Sequence, residues 1–178
     1  MTLPPSLLFS RECGNALYPS SKSNCPVYTV TSEAADTYCL WLSKKTGRSF
    51  RLPTEFEWEF AAAGPLKNIF PWGNKFNPDL TNTVESGLFQ SSPVGLFPNG
   101  ASYFGAMDMG GNVEEYVSND YFPYGDDVIQ DDLASTLGEY RIARGGSFTR
   151  FEDLARCCRR HGRYPSDLYV MGFRLAED

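Results

Sequence analysis

Two stretches of the chain combine residue types that can do chemistry. The first is Met107-Asp108-Met109-Gly110-Gly111-Asn112-Val113-Glu114-Glu115-Tyr116. Its paired glycines, its Asn and its two Glu can bring a side-chain amide, backbone carbonyls and a carboxylate around a hard cation such as calcium. The same residues can equally make a tight Gly-Gly turn before a strand, with Glu114 facing water and Val113 and Tyr116 facing in. The second stretch runs from Thr149-Arg150-Phe151 to His161-Gly162-Arg163-Tyr164. Cations, aromatics and small polar groups mix there without a helical or strand period, which suits a recognition surface better than a core. Its flanks read as strands. Arg141-Ile142-Ala143-Arg144 alternates, and Val170-Met171-Gly172-Phe173-Arg174-Leu175 is expected to be its closing partner.

Other constellations carry less. Glu55, Glu57 and Glu59 offer paired carboxylates for acid and base work. Acidic residues in the first turns of a helix also favour its positive end, and that reading is the stronger one here. Gly145-Gly146 lacks the further glycines and following helix of a nucleotide loop, which excludes nucleotide binding. The five cysteines, Cys13, Cys25, Cys39, Cys157 and Cys158, include no CxxC pair, so no zinc finger is present. Cys39 belongs to a helical apolar face, and Cys13 and Cys25 read most simply as free thiols.

Several elements must position these residues. Residues 1–24 read as an irregular arm and 25–178 as one domain, a size that buries one substantial core. Pro26-Val27-Tyr28-Thr29-Val30 is strand-like. Thr31 or Ser32 then caps a helix whose Ala35, Tyr38, Cys39 and Leu42 recur at helical spacing and which ends at Lys44, Lys45 and Gly47. Thr54 and Glu57 form a capping box for a second helix through Trp58, Ala61 and Ala62 to Gly64. From Pro65 to Asn119 turns dominate, punctuated by Pro71-Trp72-Gly73-Asn74, Pro93-Val94-Gly95 and Pro98-Asn99-Gly100.

The net charge of -6 argues against a general nucleic-acid binder, which needs a basic face. Arg150, Arg156, Arg159, Arg160, Arg163 and Arg174 crowd the end of the chain, and Asp126, Asp127, Asp131 and Asp132 precede them. The two groups are expected to solvate neighbouring faces or to pair with each other. No basic region leads into an apolar run, and no stretch is long enough to cross a bilayer, so no membrane insertion is expected and the default compartment is the cytoplasm.

Arg51-Leu52-Pro53-Thr54-Glu55-Phe56-Glu57-Trp58-Glu59, Pro71-Trp72-Gly73, Asp108-Met109-Gly110-Gly111-Asn112-Val113, Arg144-Gly145-Gly146-Ser147-Phe148 and Gly172-Phe173-Arg174 follow one another in a fixed order. The ordered set resembles the formylglycine-generating enzyme, or sulfatase-modifying factor, family, from about Cys25 to the end. The resemblance implies an α+β, C-type-lectin-like fold: two helices beside small antiparallel sheets, much irregular structure, and a ligand site in the C-terminal segment. Enzymes of the family oxidise a substrate cysteine with a copper-binding cysteine pair shortly after the motif matched by Gly145-Gly146-Ser147-Phe148. Here that stretch reads Thr149-Arg150-Phe151-Glu152-Asp153-Leu154-Ala155 and contains no thiol. Cys157 and Cys158 come later, as neighbours on an expected strand that would face them apart. Relatives that form sulfoxides in ergothioneine synthesis hold iron with several histidines, whereas this chain has only His161. Both chemistries are expected to be absent, and no cofactor is required. The resemblance does imply a calcium site at Asn112 with its neighbouring backbone and Glu115, with Glu114 standing where the family has tryptophan. A second calcium site would need Asn82 and an acidic residue where this chain has Ser86.

Within this fold the chain is also similar to the variable proteins of diversity-generating retroelements, whose C-terminal region, here about 147–171, is bounded in the same way. Adenine mutagenesis of their template codons cannot produce Lys, Glu, Gln, Met or Trp. Thr149, Arg150, Phe151, Cys157, Arg159, His161, Gly162, Arg163, Tyr164, Ser166, Asp167, Leu168, Tyr169 and Val170 all avoid those types. Glu152 and Met171, which do not, fall where such proteins keep scaffold residues. The expected function is therefore non-catalytic recognition of a protein or other macromolecule through these positions. The alternatives are a family enzyme of unassigned chemistry and an accessory domain of a larger signalling protein.

Overall fold

Thr31 is extended and its hydroxyl accepts the Ala34 amide at 3.2 Å, which starts helix α1, Ser32–Thr46. Gly47 ends it in the left-handed conformation, its amide bonded to the Ser43 carbonyl. The structure is a computed structural model and describes residues 20–122, 141–161 and 170–178. Nearly all of the arm expected over 1–24 lies outside them, as do Asp126, Asp127, Asp131 and Asp132. From α1, Ala35 and Cys39 turn inward against Leu52, while Tyr38 stays largely at the surface.

Strand β1, Phe50–Arg51, leads to helix α2, Glu55–Ala63, and the Thr54–Glu57 capping box is formed in both directions. Arg51 and the Thr54 backbone, both bonded to the Glu57 carboxylate, hold its pKa down at about 2. Trp58 and Ala62 of α2 pack on Met109, Val117, Ile142 and Cys157 to make the main core. Large apolar side chains removed from water here contribute roughly 1.5–3 kcal/mol each.

The sheet that carries the site has the order β3-β2-β4, with β2 over Glu114–Asp120, β3 over Arg141–Arg144 and β4 over Met171–Phe173. The two strand-like flanks of the recognition stretch therefore do not pair with each other. Each pairs with β2, β3 antiparallel and β4 parallel. A parallel partner needs a long connection, and the 121–170 stretch of chain between β2 and β4 is one. A separate antiparallel pair joins β1 to β5, Ala176–Glu177. The strand expected over Pro26-Val27-Tyr28-Thr29-Val30 does not form. Thr29 has φ 60, which breaks the extended run, and a bond from the Val30 amide to the Met171 carbonyl ties it to the sheet.

Candidate functional site

Successive strand residues face opposite sides, and β2 uses this to send two carboxylates to two different places. Glu115 accepts the Trp58 indole N–H at 2.7 Å and both the Nε and Nη2 groups of Arg174. Arg174 Nη2 also reaches the Met107 carbonyl at 3.0 Å. Beside them lies a cavity of about 380 Å³ lined by Pro26, Val94 and Phe173 and by Asp108, Asn112 and Glu115. Asp108 accepts the Gly95 amide at 2.7 Å, and burial, followed by the neighbouring charge of Glu115, pushes its carboxyl above the usual range.

Asn112 and Glu115, expected as calcium ligands, both border this cavity. The Asn112 amide oxygen already accepts the Ser92 amide at 3.0 Å and Asn82 Nδ2 at 3.4 Å, and its nitrogen donates to the Ser92 carbonyl at 3.2 Å. Glu115 is shared with an arginine. The carboxylate missed from sequence is Asp108, whose only sign was its place inside the same motif. Ser86 and Asn82 hydrogen-bond to each other at 3.3 Å, so the neutral hydroxyl that replaces an acid serves a polar cluster.

Glu114 faces the other way and is fully buried, which overturns the reading that turned it to water. One oxygen accepts Arg150 Nε at 3.3 Å, and the other pairs with His161 Nδ1. Arg150 and His161 are thus half-buried residues gathered on one carboxylate. The backbone holds the same two points. The Arg150 carbonyl accepts the Val84 amide at 2.9 Å, and His161 exchanges two backbone bonds with Ala143, at 2.8 and 2.9 Å.

Of the remaining candidate ligand residues, Thr149, Phe151 and Arg159 are exposed, Phe151 by 67%. Cys157 and Val170 are not surface residues. Cys157 sits 1% exposed in the main core, and burial pushes its thiol up to about 12. Val170 packs with Val113 and Phe148 in a second cluster. Gly162, Arg163, Tyr164, Ser166, Asp167, Leu168 and Tyr169 lie outside the described residues. Cys157 and Cys158 occupy a turn after the 3-10 helix Glu152–Ala155 instead of a strand, one buried and one exposed.

The arginines of this region find carboxylates close to the site. Arg156 and Arg159 pair with Asp153, Arg160 with Glu55, Arg150 with Glu114 and Arg174 with Glu115. Buried Glu55 is also bonded by Arg144 at 2.9 Å, so it anchors the C-terminal segment as well as starting α2. Arg144 further binds Glu59 and the Cys157 carbonyl, the latter at 2.6 Å.

The family model for the sulfatase-modifying factor enzyme 1-like domain matches residues 10–178. The chain is 34% identical over 189 residues to a mouse protein named inactive C-alpha-formylglycine-generating enzyme 2, covering 97% of this chain and 55% of that protein. It is 35% identical over 178 residues to the mouse formylglycine-generating enzyme, covering 88% and 45%. The chain thus spans about half the length of these curated relatives, one of them named an enzyme and the other an inactive one. Among solved structures, Treponema denticola variable protein 1 has the same fold, with a TM-score of 0.73 at 22% identity over 86% of this chain and 71% of that one.

Proposed function

We propose, from the premise that this chain belongs to the sulfatase-modifying factor enzyme 1-like domain family, that it is a non-catalytic member recognising a protein or other macromolecule through its C-terminal segment. One observation carries this reading. Thr149, Phe151 and Arg159 stand out to solvent, while the backbone that bears them is tied to a buried scaffold by Glu55, Glu114 and Arg144. Rigid support under exposed aromatic and arginine side chains is what interface hot spots need. Arg150 and His161 frame this surface through Glu114, and Cys157 and Val170 belong to the scaffold beneath it.

The retroelement reading is the finer part of the proposal. Thr149, Phe151 and Arg159 all belong to the types that adenine mutagenesis can generate, and the fold shared with a protein named a variable protein is consistent with it. A near-copy of the coding segment beside a reverse transcriptase gene would support diversification, and its absence from the flanking DNA would remove it.

A catalytic reading is favoured by one feature, the buried carboxylate on His161 Nδ1, because such a partner orients an imidazole. The copper chemistry of the family's enzymes is tested separately. Incubated with copper and a cysteine-containing sulfatase peptide, the protein is expected to yield no aldehyde, since Thr149 to Ala155 offers no thiolate to the metal. Aldehyde above background would overturn the non-catalytic reading.

Calcium belongs to the same proposal. Asn112 and Glu115 border the cavity together with Asp108, a third hard-oxygen donor of the type calcium takes, and Asp108 is a buried carboxylate that gains from a cation nearby. Binding to the folded state alone raises the melting temperature by mass action. Millimolar calcium is expected to raise Tm over the chelator-treated protein, and Asp108→Asn to abolish the difference. Superimposable melting curves with and without chelator would exclude the ion.

A further inference from the structure

Glu114 is a charge in a place where charges are costly. Its side chain is 1% exposed, yet it stands in the central strand of the sheet, between β3 and β4. An ionised carboxylate persists there only if it is paired and hydrogen-bonded. Its partners are Arg150 and His161, two residues of the recognition segment. Glu115, one residue on, is held instead by Trp58 and Arg174.

We infer that Glu114 is the positioning residue of the recognition segment: a single buried carboxylate that ties two points of the segment, Arg150 and His161, to strand β2 and so fixes the geometry in which Thr149 and Phe151 are presented. The inference rests on the binding reading for its purpose but not for its test. Within the candidate set it makes Arg150 and His161 a matched pair with Glu114. Their types are set by the carboxylate beneath them, while Thr149, Phe151 and Arg159 carry no such constraint. Other ties exist between these two points, where Cys157 donates its amide to the Ile69 carbonyl at 2.8 Å and Arg160 bonds Glu55 at 2.7 Å. Release of Glu114 therefore acts first on the residues paired with it.

Amide hydrogen exchange followed by NMR tests this without any ligand. Glu114→Gln is expected to speed exchange of the paired Ala143 and His161 amides at least tenfold while leaving the Cys157 amide near its original rate. Glu115→Gln, on the opposite face, should show no such preference for those two amides. Arg150→Gln with His161→Gln should speed the same two amides, and adding Glu114→Gln to that pair should change them little further, because the tie is already broken. The cycle also serves if Glu114→Gln alone fails to fold. Unchanged exchange at Ala143 and His161 in Glu114→Gln, or a triple variant less protected than the double, would overturn the assignment and leave the binding reading standing. A binding failure with the exchange pattern intact would do the reverse.

Discussion

Arg144→Met is expected to lower stability by roughly 3–5 kcal/mol, the usual consequence of removing one partner from a buried ion pair. The side chain is wholly buried and serves three acceptors at once, Glu55, Glu59 and the Cys157 carbonyl, with its guanidinium 5.3 Å from the Trp58 ring. Methionine fills much of the same volume, so the loss is electrostatic more than steric. Glu55 keeps Arg160 at 2.7 Å, but the Cys157 carbonyl loses its guanidinium donor. For a chain of this size each kcal/mol moves Tm by roughly 2–4 °C, so a drop on the order of 10 °C is expected in calorimetry. Arg144→Lys should recover little, because an ammonium cannot reproduce the planar fork. Adding Glu55→Gln to Arg144→Met should deepen the loss, because Glu55 still pairs with Arg160 through both of its oxygens. A Tm within 2 °C of the parent would show that this network contributes nothing to folding.

The reach of that arginine explains what could and could not be read from the sequence. Local features were legible. Thr31 and Thr54 cap their helices, Gly47 ends the first, and the capping box depends on residues three apart. The ordered motifs were legible as well, and they led to the fold and to the C-terminal segment as the place to look. What failed was non-local or lay in irregular backbone. Nothing in Arg141–Arg144 or Met171–Phe173 says that β2 comes between them, and Thr29 interrupts a run whose composition reads as a strand. Cys157 and Val170 had no period to reveal which way they face, and both turned inward. The one advance sign of the Glu114 pairing was a glutamate standing where the family has tryptophan, and its partners lie 36 and 47 residues away. Polar residues in irregular segments are decided by partners far along the chain, which composition does not record.

The surface and scaffold positions of the segment must respond differently to replacement, and the difference should be large. Substitutions at exposed positions shift stability by about 0.5 kcal/mol or less each. Thr149, Phe151 and Arg159 qualify: Phe151 is two-thirds exposed, and Arg159 pairs only at the surface, 3.5 Å from Asp153. Replacing all three therefore leaves the fold in place. Arg150, Cys157 and His161 fall on the other side, the first and last because they bond the two oxygens of buried Glu114, and Cys157 because it fills the core beside Trp58. Most replacements at those three either strand a buried charge, costing roughly 3–5 kcal/mol, or overfill the core, costing roughly 1–3 kcal/mol. The decisive measurement is a pair of displayed libraries, one randomised at Thr149, Phe151 and Arg159 and the other at Arg150, Cys157 and His161, scored for protease resistance. The account predicts that most members of the first library stay as resistant as the parent and most members of the second are cleaved. If the first library is cleaved as readily as the second, the three exposed side chains hold the fold together, and the C-terminal segment is not a recognition surface.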